Sequence, residues 1–404
     1  MSARVIRWFT LLAALFSSGQ GYALPPLQLF VEITPPGGVL KVPPGRYAGP
    51  VVVERPITIE GGGQAILDGE GQGTVLSVLA DGVTVRGLQI VNSGSSHDQV
   101  DAGILVAADN TLIENNRIER TLFGIHLKKA NDNTIRNNTI SSMGDIPSLR
   151  GEGVRMWYSE GNLVEGNQIS TVRDLVISNS AGNRFIGNTI SDSRIAMEFV
   201  FSPYNLVQGN RVEDNSTGVV VIYSDELEIL DNRFAHLRSI SGSAVSIKGS
   251  SKAVISENLF LHCAIGLVAN APIHPEHVFR LQGNRFVYND VAMYFYGEKG
   301  GHVIHDNQFE GNFTDVLVSA SSSALHNDWQ GNYWDNYRGF DRDRDGFGDE
   351  PYNMYIYSDR LWMDRPLTRF FRGSPGLEVY DFVERLAPFS PPELILTDPR
   401  PRVP

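Results

Sequence analysis

The sequence predicts an all-β fold, a right-handed parallel β-helix of about 12 rungs closed by a C-terminal cap that contains a short helix. Three observations predict it. The pattern Asn-x-apolar returns at intervals of 21 to 29 residues. Apolar residues stand at fixed offsets on both sides of each asparagine. No helical pattern of 10–15 residues lies between the repeats, which argues against a βαβ reading.

The repeat asparagines are Asn116, Asn138, Asn167, Asn188, Asn210, Asn232, Asn258, Asn284, Asn307 and Asn332. Three positions before each is an apolar residue, from Ile113 to Trp329, and two positions after is another, from Ile118 to Trp334. Two upstream segments, "ITIEGGG" and "VTVRGLQI", keep both columns with Gly61 and Gly87 in the asparagine position. A further strand precedes each asparagine, as in "GIHL", "GVRM", "AMEF" and "GVVV". At about 4.8 Å per rung the rod is roughly 58 Å long. The asparagines are expected to be scaffold: the residue tolerates a left-handed turn, and stacked amides donate to one neighbour and accept from the next.

Residues 1–23 read as an export signal, with Arg4 and Arg7 before the apolar "WFTLLAALF" and small residues at Gly21 and Ala23. The β-helix then spans 24–334, and 335–404 form the cap and tail. No later stretch approaches the roughly 20 apolar residues of a membrane helix, so the expectation is a soluble periplasmic protein. A net charge of −12 without a basic cluster excludes a nucleic-acid partner. The one cysteine, Cys263 in "FLHCAIGL", cannot form an internal disulfide and reads as a buried thiol.

Function in a repeat rod concentrates where the period breaks. The step from the apolar residue after the asparagine to the next strand is long at Ile90–Gly103, Ile140–Gly153 and Phe234–Ala244, so all three insertions leave one corner. The first two place His97, Asp98, Asp101, Met143 and Asp145 on a single edge, expected to be a docking or ligand surface. A fourth insertion, "NAPIHPEH", carries His274 and His277 on another corner.

Catalysis on acidic sugars needs clustered carboxylates or a base with neighbouring cations. The outward strand column reads His126, Arg155, Ile177, Glu198, Val220, Ser246, Val268, Tyr294 and Leu317. From Ile177 onward it is mostly apolar or neutral, so the expectation is a non-enzyme. A uronate lyase or epimerase, or an exported glycan-binding rod, is the alternative. Thioethers select Cu(I). Met197 and Met293 hold the inward register, leaving Met156 and Met143 as candidate copper ligands. His302 and His305 are three apart on a strand and read as surface histidines on opposite faces.

In "DRDRDGFGD", Asp341, Asp343, Asp345 and Asp349 occupy positions one, three, five and nine of a calcium loop, with Gly346 at six. Position twelve is Tyr352 rather than glutamate, which leaves weak calcium binding or a purely hydrogen-bonded turn. Downstream, Ser374 and Pro375 open an amphipathic helix whose stripe is Leu377, Tyr380, Val383 and Leu386, expected to pack on the rod or a partner.

"GNYWDNYRGFDRDRDGFGDEPY", "LWMDRP", "SPGLEVYDFVERLAP" and the "LTDPRP" tail together resemble the NosD family, periplasmic β-helix accessory proteins of nitrous oxide reductase maturation. The resemblance covers essentially all of the chain after the signal. It implies a non-enzymatic role beside an ABC transporter, made of a cytoplasmic ATPase and a membrane permease, in assembling the copper–sulfide centre of nitrous oxide reductase. It further implies copper received from a lipoprotein chaperone, and contact with the membrane only through the permease. Where the family has a His-Tyr-Met-Tyr stretch, this chain has Arg155-Met156-Trp157-Tyr158, so the methionine matches and the histidine does not.

Overall fold

The computed structural model describes residues 23–144, 146–270, 278–297, 300–319, 324–356, 374–386 and 392–403. The expected signal, Asp145, and His274 and His277 lie outside them. The chain is a parallel β-solenoid of about 12 turns. Two stacks of short strands are joined by the long strands Thr58–Asp68 and Thr84–Val91 into one 24-stranded sheet, and the third stack is a separate 12-stranded sheet. Among the described residues no helix is long and apolar enough to cross a membrane.

Both apolar columns pair in register. Ile113, Ile135, Val164, Phe185 and Val207 are consecutive Cα partners, as are Ile118, Ile140, Ile169, Ile190 and Val212. Short, β-branched strands suit this arrangement, because each must bury one face and pair both edges. Toward the C-terminal end the second column becomes aromatic. Phe234, Phe260, Phe286, Phe309 and Trp334 stack nearly parallel, with ring centroids 4.3–5.3 Å apart. Tyr352 of the cap continues the stack at 4.6 Å from Trp334.

The asparagine ladder forms as expected, with one shift of detail. Each Oδ1 accepts the backbone N–H of the preceding asparagine, as from Asn138 to Asn167 (2.9 Å) and from Asn188 to Asn210 (2.8 Å). The left-handed conformation falls one residue earlier, on Asn115, Asn137, Gly166, Gly187 and Gly209. The ladder asparagine is thus selected for its side-chain bonds, and its predecessor for the turn. A second ladder, Asn133–Asn162–Asn183–Asn205, runs along another corner, beside a serine ladder from Ser159 to Ser250. Cys263 is buried and donates its N–H to Asn289; burial pushes its thiol up to about 12.

The ends are closed differently. The six-residue helix Gln28–Ile33 turns Val31 onto the first rung. At the other end Tyr352–Ile356 pairs antiparallel with Glu393–Asp398. The tail then lies against the last rung, through Gly331 N–H to Arg400 O and Arg402 N–H to Asn332 O. The helix Pro375–Leu386 is present. Its expected stripe is not buried by the rod: Tyr380, Val383 and Leu386 are exposed, and the side chain of Leu377 lies outside the described residues.

Candidate functional site

The corner carrying the long insertions holds an open cleft of about 640 Å³, lined by Asp68, Glu70, Asn92, Ser93, Arg120 and Met143 among others. Rung pairing builds its floor, with Asn92 N–H donating to Arg120 O and Arg120 Nε to Asn92 Oδ1 at 3.0 Å. Asp68 is buried, which by itself raises its carboxyl. Hydrogen bonds from Glu70 N–H, Asn92 and Arg46 outweigh that cost and hold it below the usual range.

The insertions place their predicted residues unequally. His97 and Asp98 are exposed, and the His97 ring meets the Phe123 ring edge-on at 5.7 Å. Asp101 is not available for docking, because it is buried and its carboxylate accepts the Ser96 N–H at 2.8 Å. Met143 is half-buried and, with Val100, packs on Ala102, Leu122 and Phe123. The two insertions therefore do meet, through an apolar contact.

Met156 departs from the expectation. It is 0% exposed, pairs with Leu127 and Ile177 in the inward register, and belongs to the main core. A thioether sealed in this way is packing and cannot receive an ion from solvent. The outward column also needs one correction. Val176 pairs with the outward Arg155 and is half-buried, whereas Ile177 pairs with the inward Met156 and lies in the core. His302 is likewise buried, stacked 3.6 Å from Phe279, while His305 meets Asp328 at 2.9 Å.

Sequence reasoning missed a charged network beside that column. Glu152, just before the strand Val154–Trp157, and Asp174, the first residue of the strand Asp174–Ser178, are each 1% exposed. Glu152 is bonded by Arg173 and approached by Arg155 at 3.5 Å; Asp174 is bonded by Arg194 and by Ile195 N–H. Glu198, next to them, has its carboxyl raised by burial and by the charge of Asp174. The two most buried acids are thus neutralised by arginines rather than free to act as bases.

His126 is buried on the same face, and burial, with the charges of Arg155 and Lys128, depresses it to about 4. The unfolded chain therefore takes up this proton first as pH falls. The stability linked to His126 is intact above about 6.5 and is lost toward about 4, by at most ~3 kcal/mol. Denaturant titrations at pH 7 and pH 4.5 are expected to show a smaller difference in His126→Leu than in the parent chain.

The acidic loop gathers only part of its predicted set. Asp341, Asp343 and Asp345 bring carboxylate oxygens within 4.8 Å of one another. Asp349 instead accepts the Arg342 N–H at 2.8 Å. Asp341 accepts the N–H groups of Asp345 and Gly346, and Arg400 binds Asp345 at 2.8 Å while lying 3.9 Å over Phe347. That guanidinium holds the Asp345 carboxyl below its usual range. The turn is closed by its own hydrogen bonds and one arginine.

Comparison with known proteins agrees with this architecture. Residues 140–339 match a family described as "Periplasmic copper-binding protein (NosD)", and residues 74–178 match a right-handed β-helix region. A protein of Pseudomonas aeruginosa named "Probable ABC transporter binding protein NosD" is 28% identical over 372 residues, covering 85% of this chain and 83% of that one. A protein of the same name from Stutzerimonas stutzeri is 27% identical over 405 residues, covering 93% and 89%. Among solved structures, the catalytic domain of a GH87 α-1,3-glucanase superposes with a TM-score of 0.59 at 14% identity, covering 73% of this chain and 64% of that one. At that identity the likeness shows the fold alone. The chain belongs to the NosD family.

Proposed function

We propose that the protein is a non-enzymatic periplasmic factor that works with an ABC transporter in assembling the copper–sulfide centre of nitrous oxide reductase, with copper supplied by a lipoprotein chaperone. One observation in the fold supports it most. The outer face of the 12-stranded sheet carries Val176, Val200, Val220, Ile222 and Val268, all half-buried, where an exposed sheet face is ordinarily polar. Exposed Phe201 and Tyr223 rim it, stacked at 5.4 Å. Both sit in left-handed backbone, which bulky residues rarely adopt, at the corner where the preceding rung uses Asn179. An apolar patch kept at that backbone cost fits a protein partner, and the permease is the partner assigned here.

Copper is cargo in this reading. Met143, at the cleft, is the predicted thioether within reach of solvent, and Met156 is not proposed as a ligand. The acidic loop is assigned a structural part, in which calcium would have to displace Arg400 from Asp345.

A second reading, turnover of an acidic glycan, is favoured by the grouping of Glu152, Asp174 and Glu198 among arginines. It predicts uronate cleavage or epimerisation that Glu198→Gln abolishes. Co-expression with the permease and ATPase tests the first reading. The rod is expected to co-purify with both, and a monodisperse rod that ignores them sinks it.

A further inference from the structure

A pair of histidines that the repeat alignment does not single out stands on the corner of the three insertions. His236 and His262 occupy equivalent positions of successive rungs, two residues after Phe234 and Phe260. Both are exposed, and both adopt left-handed backbone, with φ of 58° and 54°. Rung hydrogen bonds fix their separation, from His236 N–H to Leu261 O at 3.1 Å and from His262 N–H to Val287 O at 3.0 Å. The rings stand at 88°, and the two Nδ1 atoms are 3.4 Å apart.

The contact sits at the long end for a hydrogen bond, and the same spacing suits two ligands of one cation. A direct hydrogen bond between imidazoles would draw the nitrogens to about 2.7–3.2 Å. Two nitrogens that each lie about 2.0–2.1 Å from one ion, and 3.4 Å from each other, subtend about 110° at it, close to tetrahedral. The pair is therefore long for a hydrogen bond and well spaced to grip one cation. Its surroundings leave room. Asp214, also exposed, stands one rung earlier on the same corner, without its carboxylate being gathered with the two imidazoles; one rung later the Tyr288 ring lies over Gly311. The nearby Arg238 is engaged by Asp290 at 2.9 Å. Imidazole suits copper, zinc, iron and nickel, and among divalent ions copper binds such ligands most strongly.

We propose that His236 and His262 form a solvent-facing bis-imidazole site for a single copper ion on this edge. It lies four rungs, roughly 20 Å, beyond the rung that carries Met143. The proposal rests on the copper-binding reading above and supplies it with a site. The site is filled without backbone rearrangement, because the rung pairing already sets the bite.

The test is copper titration of the full exported chain, followed by the nitrogen hyperfine pattern of Cu(II) and by competition of Cu(I) with a chromophoric chelator. His236→Asn and His262→Asn are the variants, since asparagine accepts left-handed backbone and the fold is retained. The parent chain is expected to hold about one copper per chain with nitrogen couplings from two imidazoles. Each variant is expected to lose one coupling and at least about tenfold in affinity, since even outer-shell changes cost that much. If both variants keep the parent's affinity and couplings, the site is overturned while the copper reading stands. If the parent binds zinc but no copper, or no metal at all, both fail.

Discussion

Asp398→Ala is expected to detach the C-terminal cap, at a cost on the order of 3–5 kcal/mol. Asp398 is completely buried at the point where the asparagine ladder ends. Its Oδ2 accepts the backbone N–H of Asn332 at 3.0 Å, the Asn332 side-chain amide at 2.9 Å and the Trp334 indole N–H at 3.3 Å, while Oδ1 accepts Arg400 N–H. In every earlier rung those ladder groups are served by the next asparagine. Here a carboxylate from the cap strand Glu393–Asp398 substitutes for it. Alanine strands three donors in a dry site and loosens the tail that pairs with the last rung. Hydrogen exchange should show residues 393–398 and the last rung opening well before the central rungs. The isosteric Asp398→Asn restores an amide oxygen to the same place and should recover most of the loss. If Asn were as damaging as Ala, the ladder account of this end would be wrong.

Asn210→Ala is expected to cost about 2–4 kcal/mol, measured as early opening of the central rungs by hydrogen exchange. Asn210 Oδ1 accepts both the backbone and side-chain N–H of Asn188, and its amide donates to Phe185 O, Gln208 O and Asn232 Oδ1. Replacement leaves several of these buried groups unpaired within one turn. The effect should stay local, because each rung contacts only its neighbours. Copper binding at His236 and His262 is expected to survive the change, whereas an Asn210 that served directly in binding would lose function without loosening the rod.

The β-helix was legible in the sequence because a period repeated ten times leaves little freedom in register. Positions such as Ile118 and Ile140, or Ile113 and Ile135, had to stack once their spacing was recognised. What escaped were features that the period does not repeat. Val176, not Ile177, continues the outward column, because it pairs with Arg155 while Ile177 pairs with Met156. Met156 follows the same inward alternation as Leu127 and is buried with it. Asp398 could not be linked to Asn332 from sequence, since they are far apart in the chain and the cap has no repeat. The pair His236 and His262 shows no local motif either, being 26 residues apart; only stacking of successive rungs brings the two imidazoles together. A pass through each corner position for recurring ligand types, and not only through the apolar columns, would have found it.

On the proposed function, the regular rungs position surfaces for partners. Retention by the solubilised permease and ATPase, compared between the parent chain and the double variant Phe201→Asn, Tyr223→Asn, tests it most directly. Asparagine already occupies the equivalent corner at Asn179, so the variant keeps the backbone while removing the aromatic rim. The parent is expected to be retained, the double variant to be released, and both to take up copper equally. A parent chain that passes through unbound, or a double variant held as firmly as the parent, would contradict it.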